Sequence, residues 1–288
     1  MLELIDSRAH RAMRLGRSPL ALASLALVAC GSRSPLSVDP RAGDPEIIVD
    51  SGAPEADVDV DVPLCFRDSR LIGVIPIDLY FAIDRSQSMN VIDPGSRVSR
   101  WAAVSAALNS LLQSPMSAGL GAGIEFFPRS DSGGGPLCSS GDYFFPVVPI
   151  GTLTGGAGGT AGNIAAAIAV QTLGMGTPTT PALAGAHAYA RNEQSIHAGR
   201  LAAVVLVTDG VPRQCNSTVA STAAIATEAL SGSPPIKTYV LGVGPSLNNL
   251  NTIAQAGGSG EAYLVESGGP DALTVAMETI RTSALTCE

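Results

Sequence analysis

Lysine is almost missing from this 288-residue chain: Lys237 is the single one. Aromatic residues make up only 4%, there are three histidines, and the formal net charge is −8. Each shortage excludes something. A nucleic-acid backbone needs clustered Lys and Arg to neutralise its phosphates, and no basic stripe with interleaved aromatics is present, so nucleic acid is excluded as a partner. With so few rings, the core must be built mostly from Ala, Val, Leu and Ile. His187 falls inside a helical pattern and His197 in a loop, so no Ser/His/Asp triad can be assembled from them. None of the five cysteines has the C-x-x-C spacing of a zinc or redox site.

The amino terminus reads as an export signal rather than as fold. Arg8, Arg11, Arg14 and Arg17 precede the apolar run "PLALASLALVAC". The run is too short to span a bilayer and suits the apolar region of a signal peptide. Translation could start at Met1 or at Met13. Small residues just before Cys30 resemble the bacterial lipobox, in which the cysteine becomes the lipidated first residue of the mature chain. The resemblance implies a signal peptide over 1–29, a lipid on Cys30 and a membrane-anchored protein of the bacterial cell envelope. Gly31 and Ser32 follow, with no Asp after Cys30; by resemblance to enterobacterial lipoproteins this favours the outer over the inner membrane. Residues 31–64 are rich in Pro, Gly, Asp and Ser without a sustained period, which predicts a disordered acidic tether over 30–64. Cys65, Cys138, Cys215 and Cys287 remain. An even count in an exported chain favours disulfides, and the sequence alone permits three pairings.

From about residue 70 the pattern changes, and residues 65–288 read as one domain. "LIGVIPIDLYFAI" and "LAAVVLVTDG" are continuous apolar strands of the kind buried on both faces. "GAGIEFF", "IKTYVLGVG" and "AYLV" are further strands, and "YFFPVVPI" reads as an edge strand because its prolines exclude it from a sheet centre. Helical spacing marks "SRWAAVSAALNSLLQ", "GNIAAAIAVQTL", "TPALAGAHAYARNE", "TVASTAAIATEAL", "LNNLNTIAQAGG" and "PDALTVAMETIRTSAL". Strands alternating with helices predict an α/β fold, doubly wound, with a mostly parallel central sheet and helices on both faces.

The polar residues fall at telling places. Asp84 directly follows the first buried strand, in "FAIDRSQSMN", with Ser86 and Ser88 at alternate positions. Asp209 directly follows another buried strand. In open α/β sheets ligands bind beyond the carboxyl ends of strands where the strand order reverses, so two carboxylates 125 positions apart can meet. Between them "GMGTPTTPAL" offers Thr177, preferred to Thr179 because it directly follows Gly176. Asp84, Ser86, Ser88, Thr177 and Asp209 form an all-oxygen set. That suits a hard divalent cation, Mg²⁺ foremost with Mn²⁺ or Ca²⁺ possible, rather than zinc or copper. Two carboxylates and three neutral hydroxyls leave room for an external carboxylate.

"IDLYFAIDRSQSM", "GMGTPTTPAL" and "AAVVLVTDG", in this order, resemble the three loops of a von Willebrand factor A-type domain, over about residues 70 to 285. The resemblance implies a Rossmann-like fold and a metal-ion-dependent adhesion site. Ser86, Ser88 and Thr177 would coordinate the cation directly, Asp84 and Asp209 mainly through water, and an acidic residue of a protein partner would complete the shell. The lipobox, tether, "DRSxSM", cysteine loop and "TDGVPRQC" together are similar to a group of bacterial lipoproteins carrying this domain. In such domains the termini lie close together away from the metal face, which implies a Cys65–Cys287 bridge, leaving Cys138–Cys215 near the site. The expected function is cation-dependent protein binding, as adhesin or scaffold, and not an enzyme. A metal-assisted hydrolase is the alternative, but the three loops offer no His, Lys or Glu as general acid or base. A structural envelope lipoprotein without metal is the other.

Overall fold

The computed structural model describes residues 75–130, 132–266 and 270–285, together with the backbone of 66–67 and 70–71, which pair as a short antiparallel ladder. The signal region 1–29, Cys30 and the tether 30–64 lie outside the described residues. So do Cys65 and Cys287, and with them the bridge expected between these two.

Six strands form one sheet: β1 (Ile77–Asp84), β2 (Gly121–Phe127), β3 (Val148–Thr152), β4 (Leu201–Thr208), β5 (Lys237–Val243) and β6 (Tyr263–Val265), in the spatial order β3-β2-β1-β4-β5-β6. All neighbours are parallel except β3, which runs antiparallel to β2 at the edge. Five helices lie between them, α1 (Arg100–Gln113), α2 (Gly159–Ala169), α3 (Thr179–Ile196), α4 (Val219–Ser231) and α5 (Asn251–Ala256), and α6 (Pro270–Leu285) follows β6.

Every residue of β1 is buried, as a strand covered on both faces requires. Alternation then sorts its side chains. Leu79, Phe81 and Ile83 pack with α1, α2 and α6, whereas Tyr80 and Ala82 pack with α3, α4 and α5. The aromatic-poor core closes by close approach of small residues. Ala182, Ala186 and Ala190 of α3 and Ala223 and Ala226 of α4 are all buried. The chain is thus wound in two directions from β1. Its first crossover leads to β2, and the chain later returns on the other side of β1 as β4. The strand order reverses between β1 and β4, and their carboxyl ends open a crevice there.

Two elements differ from expectation. β1 starts at Ile77 rather than near residue 71, because Pro76 has no N–H for the ladder; its carbonyl still accepts from Leu201 N (3.0 Å). The edge strand lies in the second half of "YFFPVVPIGT". Ser140–Tyr143 form a 3₁₀ turn instead, closed by a capping box between Ser139 and Asp142, and Tyr143 is buried with its hydroxyl donating to Leu137 O (2.9 Å). Pro149 sits within the edge strand, a position a proline tolerates. Among the described residues no helix is long and apolar enough to cross a membrane.

Candidate metal centre

The loop after β1 is stitched to its neighbours before it carries any chemistry. Arg85 N donates to Phe127 O at the end of β2 (2.6 Å), and Gly174 N donates to Arg85 O (2.7 Å). The Arg85 side chain adds Nε to Pro128 O (3.0 Å) and Nη1 to Thr172 O (2.7 Å). Three chain segments are thereby fixed around the end of β1. A 3₁₀ turn, Gln87–Asn90, follows and is anchored by the buried Met89. It folds Ser88 back beside Ser86, with the hydroxyl oxygens 2.9 Å apart.

Asp84 is fully buried at the strand end. Its Oδ1 accepts from Ser86 N (2.7 Å), and its Oδ2 accepts from the Thr208 hydroxyl of β4 (2.7 Å). The second bond ties the ends of β1 and β4 together across the crevice. Asp209, 6% exposed, takes the Ser88 hydroxyl on Oδ1 (2.8 Å) and Arg100 Nη1 on Oδ2 (3.0 Å). Burial, and next the charge of Asp209, push the Asp84 carboxyl from its ordinary 3.8 up to about 7; the bonds from Thr208 and Ser86 pull it partly back. The pair is a buried negative centre short of positive charge.

Thr177 arrives from the third loop. Gly176 turns the chain at φ +92°, and a Cβ there would lie 2.8 Å from the Gln214 side-chain oxygen, which accepts from Thr177 N (2.9 Å). Thr177 O accepts from Arg213 N (2.8 Å). Gln214, Cys215 and Asn216 all have positive φ (59°, 51° and 56°). This left-handed run costs on the order of 1 kcal/mol per residue, and it sits where Cys215 is disulfide-bonded to Cys138, with Cα atoms 5.2 Å apart. The bridge joins the loop after β2 to the loop after β4. Thr177 shares with Ser86, Ser88 and Asp209 a cleft of about 390 Å³, rimmed by Met175, Val211 and Arg213. Thr179 instead lies fully buried at the start of α3, its hydroxyl directed to Thr177 O (3.3 Å).

Asp84, Ser86, Ser88, Thr177 and Asp209 therefore come together at the switch point of the sheet. The donor set fits a hard divalent cation: every donor is oxygen, and the two carboxylates face each other across hydroxyls. Among the described residues no group of three or more His, Cys, Asp and Glu side chains gathers as an alternative site. His187 is buried elsewhere, hydrogen-bonded through Nε2 to Thr238 (2.8 Å), with its pKa lowered to about 3 by burial and then by Arg191. Sequence reasoning missed Arg100 and Gln214. Both act by reaching across loops distant in sequence, which no local spacing encodes.

This architecture is a doubly wound α/β fold, with β1 inside the sheet and one antiparallel edge strand. No protein-family model matches the sequence, and no curated protein matches it. Solved structures do. The pilus adhesin SpaC from Lactobacillus rhamnosus GG aligns at 16% identity and a TM-score of 0.53, over 74% of this chain and 30% of that one. The minor pilin PilB from Streptococcus sanguinis aligns at 14% identity and 0.52, over 75% and 63%. Proximal thread matrix protein 1 from the mussel byssus aligns at 13% identity and 0.50, over 73% and 48%. This chain spans less than two thirds of each of these proteins, and identities so low speak for the fold alone.

Proposed function

We propose that the chain is a divalent-cation-dependent protein-binding module, an adhesin or scaffold, held at the bacterial cell envelope through lipid on Cys30. The observation that carries this reading is the meeting of Ser86, Ser88, Thr177 and Asp209 in one solvent-open cleft at the carboxyl ends of β1 and β4, with Asp84 buried beside it. A divalent cation bound there, Mg²⁺ foremost, would offer an open coordination position to an oxygen from outside the chain. Ser86, Ser88 and Thr177 would hold it directly, while the buried Asp84 and Asp209 balance its charge from behind the hydroxyls. Met175, 70% exposed, and Val211 form an apolar rim beside the cleft. That favours a protein partner offering a carboxylate flanked by apolar side chains. The adhesin and pilin relatives in fold support the same direction. The cleft lining holds no His, Lys or Glu, which supports binding rather than metal-assisted hydrolysis.

The test is a titration of the purified chain with Mg²⁺ and Mn²⁺, followed by calorimetry and by melting. Saturable binding, with a melting temperature that rises on cation addition and falls back with chelator, is expected, since a ligand of the folded state alone stabilises it by mass action. Absence of both effects would remove the reading. The anchor has its own test. Cys30→Ala should shift the protein from the membrane to the soluble fraction or block its processing; a variant that fractionates and migrates like wild type would refute lipidation.

A further inference from the structure

Arg100 is the first residue of α1, and its guanidinium is held from several sides. Nε donates to Asp93 Oδ2 (2.7 Å) and Nη2 to Asp93 Oδ1, a bidentate fork, while Nη1 donates to Asp209 Oδ2 (3.0 Å). The side chains of Arg100, Asp93 and Asp209 are 11%, 3% and 0% exposed. Its backbone N donates to Val91 O (3.0 Å). Beneath it lies Gly244, at the end of β5 with φ +112°, where a Cβ would stand 2.6 Å from the Arg100 Cζ. The bare backbone of that glycine makes the space in which the guanidinium lies flat. The arrangement is built from the ends of three elements, α1, β4 and β5, and from the loop that carries Asp93.

The charges say what it does. One guanidinium serves two carboxylates, Asp93 and Asp209, so together with Asp84 the cluster beside the cleft keeps an excess of negative charge. Both Asp209 oxygens are committed, Oδ1 to the Ser88 hydroxyl and Oδ2 to the guanidinium. An arginine stays charged at every physiological pH, so this positive charge is permanent. A cation settling among the hydroxyls meets it at close range, next to the carboxylate it needs.

We propose that Arg100 is a resident counter-ion of Asp209 that competes with the external divalent cation, and that Asp93 sets the strength of that competition. The inference rests on the reading of this cleft as a cation site. The guanidinium holds Asp209 in place and limits the repulsion between Asp209 and Asp84 while no cation is bound. It also lowers the affinity for the cation, so the site fills only above a threshold concentration. Neutralising Asp93 leaves the guanidinium to Asp209 alone and should make it the stronger competitor.

The experiment is Mn²⁺ binding to the purified chain at constant ionic strength, read from the paramagnetic resonance signal of the free ion, for wild type, Arg100→Gln, Arg100→Lys and Asp93→Asn. Arg100→Gln is expected to bind roughly tenfold more tightly or better, because a full positive charge near the ion is gone. Arg100→Lys keeps the charge and should stay within about threefold of wild type. Asp93→Asn should bind more weakly. A residue that merely shaped the site would give the opposite sign for Arg100→Gln, since its loss would loosen the ligands. Wild-type binding with Arg100→Gln equal or weaker, in a variant of native circular dichroism, overturns the inference and leaves the cation site standing. Should Arg100→Gln fail to fold, Asp93→Asn decides, and unchanged or tighter binding there overturns it. No binding by any of the four up to tens of millimolar overturns both.

Discussion

Glu125→Leu is expected to raise the unfolding free energy by about 1–3 kcal/mol at neutral pH, with a gain that grows as the pH rises. Glu125 lies in β2, opposite Ala82 of β1, and is fully buried. Alternation puts it on the same face as Phe127, which packs in the cluster under α3. Both carboxyl oxygens are without a hydrogen-bond partner, and so is the buried Tyr80 hydroxyl. Tyr80 is the diagonal cross-strand neighbour, opposite Gly123. Burial pushes the Glu125 carboxyl well above its ordinary 4.5, and the Arg129 guanidinium pulls it only partly back. A raised folded-state value means that the native chain keeps a proton the unfolded chain gives up near pH 4.5. The contribution to stability is full below that pH and is lost as the pH climbs toward the folded-state value, at about 1.4 kcal/mol per pH unit. Urea melts of both proteins in chelator at about pH 5, 7 and 9 check it. Asp84, whose own carboxyl also titrates upward, is common to both and cancels in the difference. The gap should widen with pH, and a constant gap would show that the carboxyl carries no ionisation cost.

Glu125 also marks where sequence reading stops. "GAGIEFF" is legible as a strand, because apolar runs bounded by turns announce buried β structure, but nothing local says that its one acid points into the core. The same limit applies at the site. "DRSQS" after a buried strand, "GMGTPTT" before a helix and "TDG" after another buried strand lead to the sheet's switch point, since strand ends and hydroxyl spacing are local properties. Arg100 was legible only as the start of a helix. Its partner Asp209 lies 109 residues away, and the glycine that makes room for it ends yet another strand. The left-handed run at Gln214–Asn216 was equally hidden, because only Asn among the three is at home at positive φ. Pairwise reach across loops, unlike periodicity, exists only in the folded chain.

Arg100 gives the two site carboxylates different fates when each is neutralised, and this is the most direct test of the centre. Asp84→Asn should fold. The amide oxygen can keep the bond from Ser86 N, and the amide N–H₂ can donate to the Thr208 hydroxyl, whose proton has Gly210 O (3.3 Å) as another acceptor. Without metal this variant removes a buried charge that faces Asp209. Because burial raises the Asp84 carboxyl from 3.8 to about 7, wild type loses stability progressively as the pH climbs through that window and carries the whole cost above it. The variant should therefore be more stable than wild type near pH 8, by up to about 4 kcal/mol, and indistinguishable below about pH 4. Asp209→Asn removes the partner of Arg100 and leaves a guanidinium, 11% exposed, with Asp93 alone. That variant should be destabilised without metal, by about 1–3 kcal/mol for the lost charge-assisted bond. Toward cations the two behave alike. Wild type at a hundredfold excess over the dissociation constant should gain about 2.7 kcal/mol, and both variants should lose that gain, since each halves the negative charge that balances the ion. Melting in chelator and in Mg²⁺ reads all of this from one set of samples. Cation-dependent stabilisation that survives in both variants would move the metal away from this cleft, and equal metal-free melting of the two variants would remove Arg100 as the partner of Asp209.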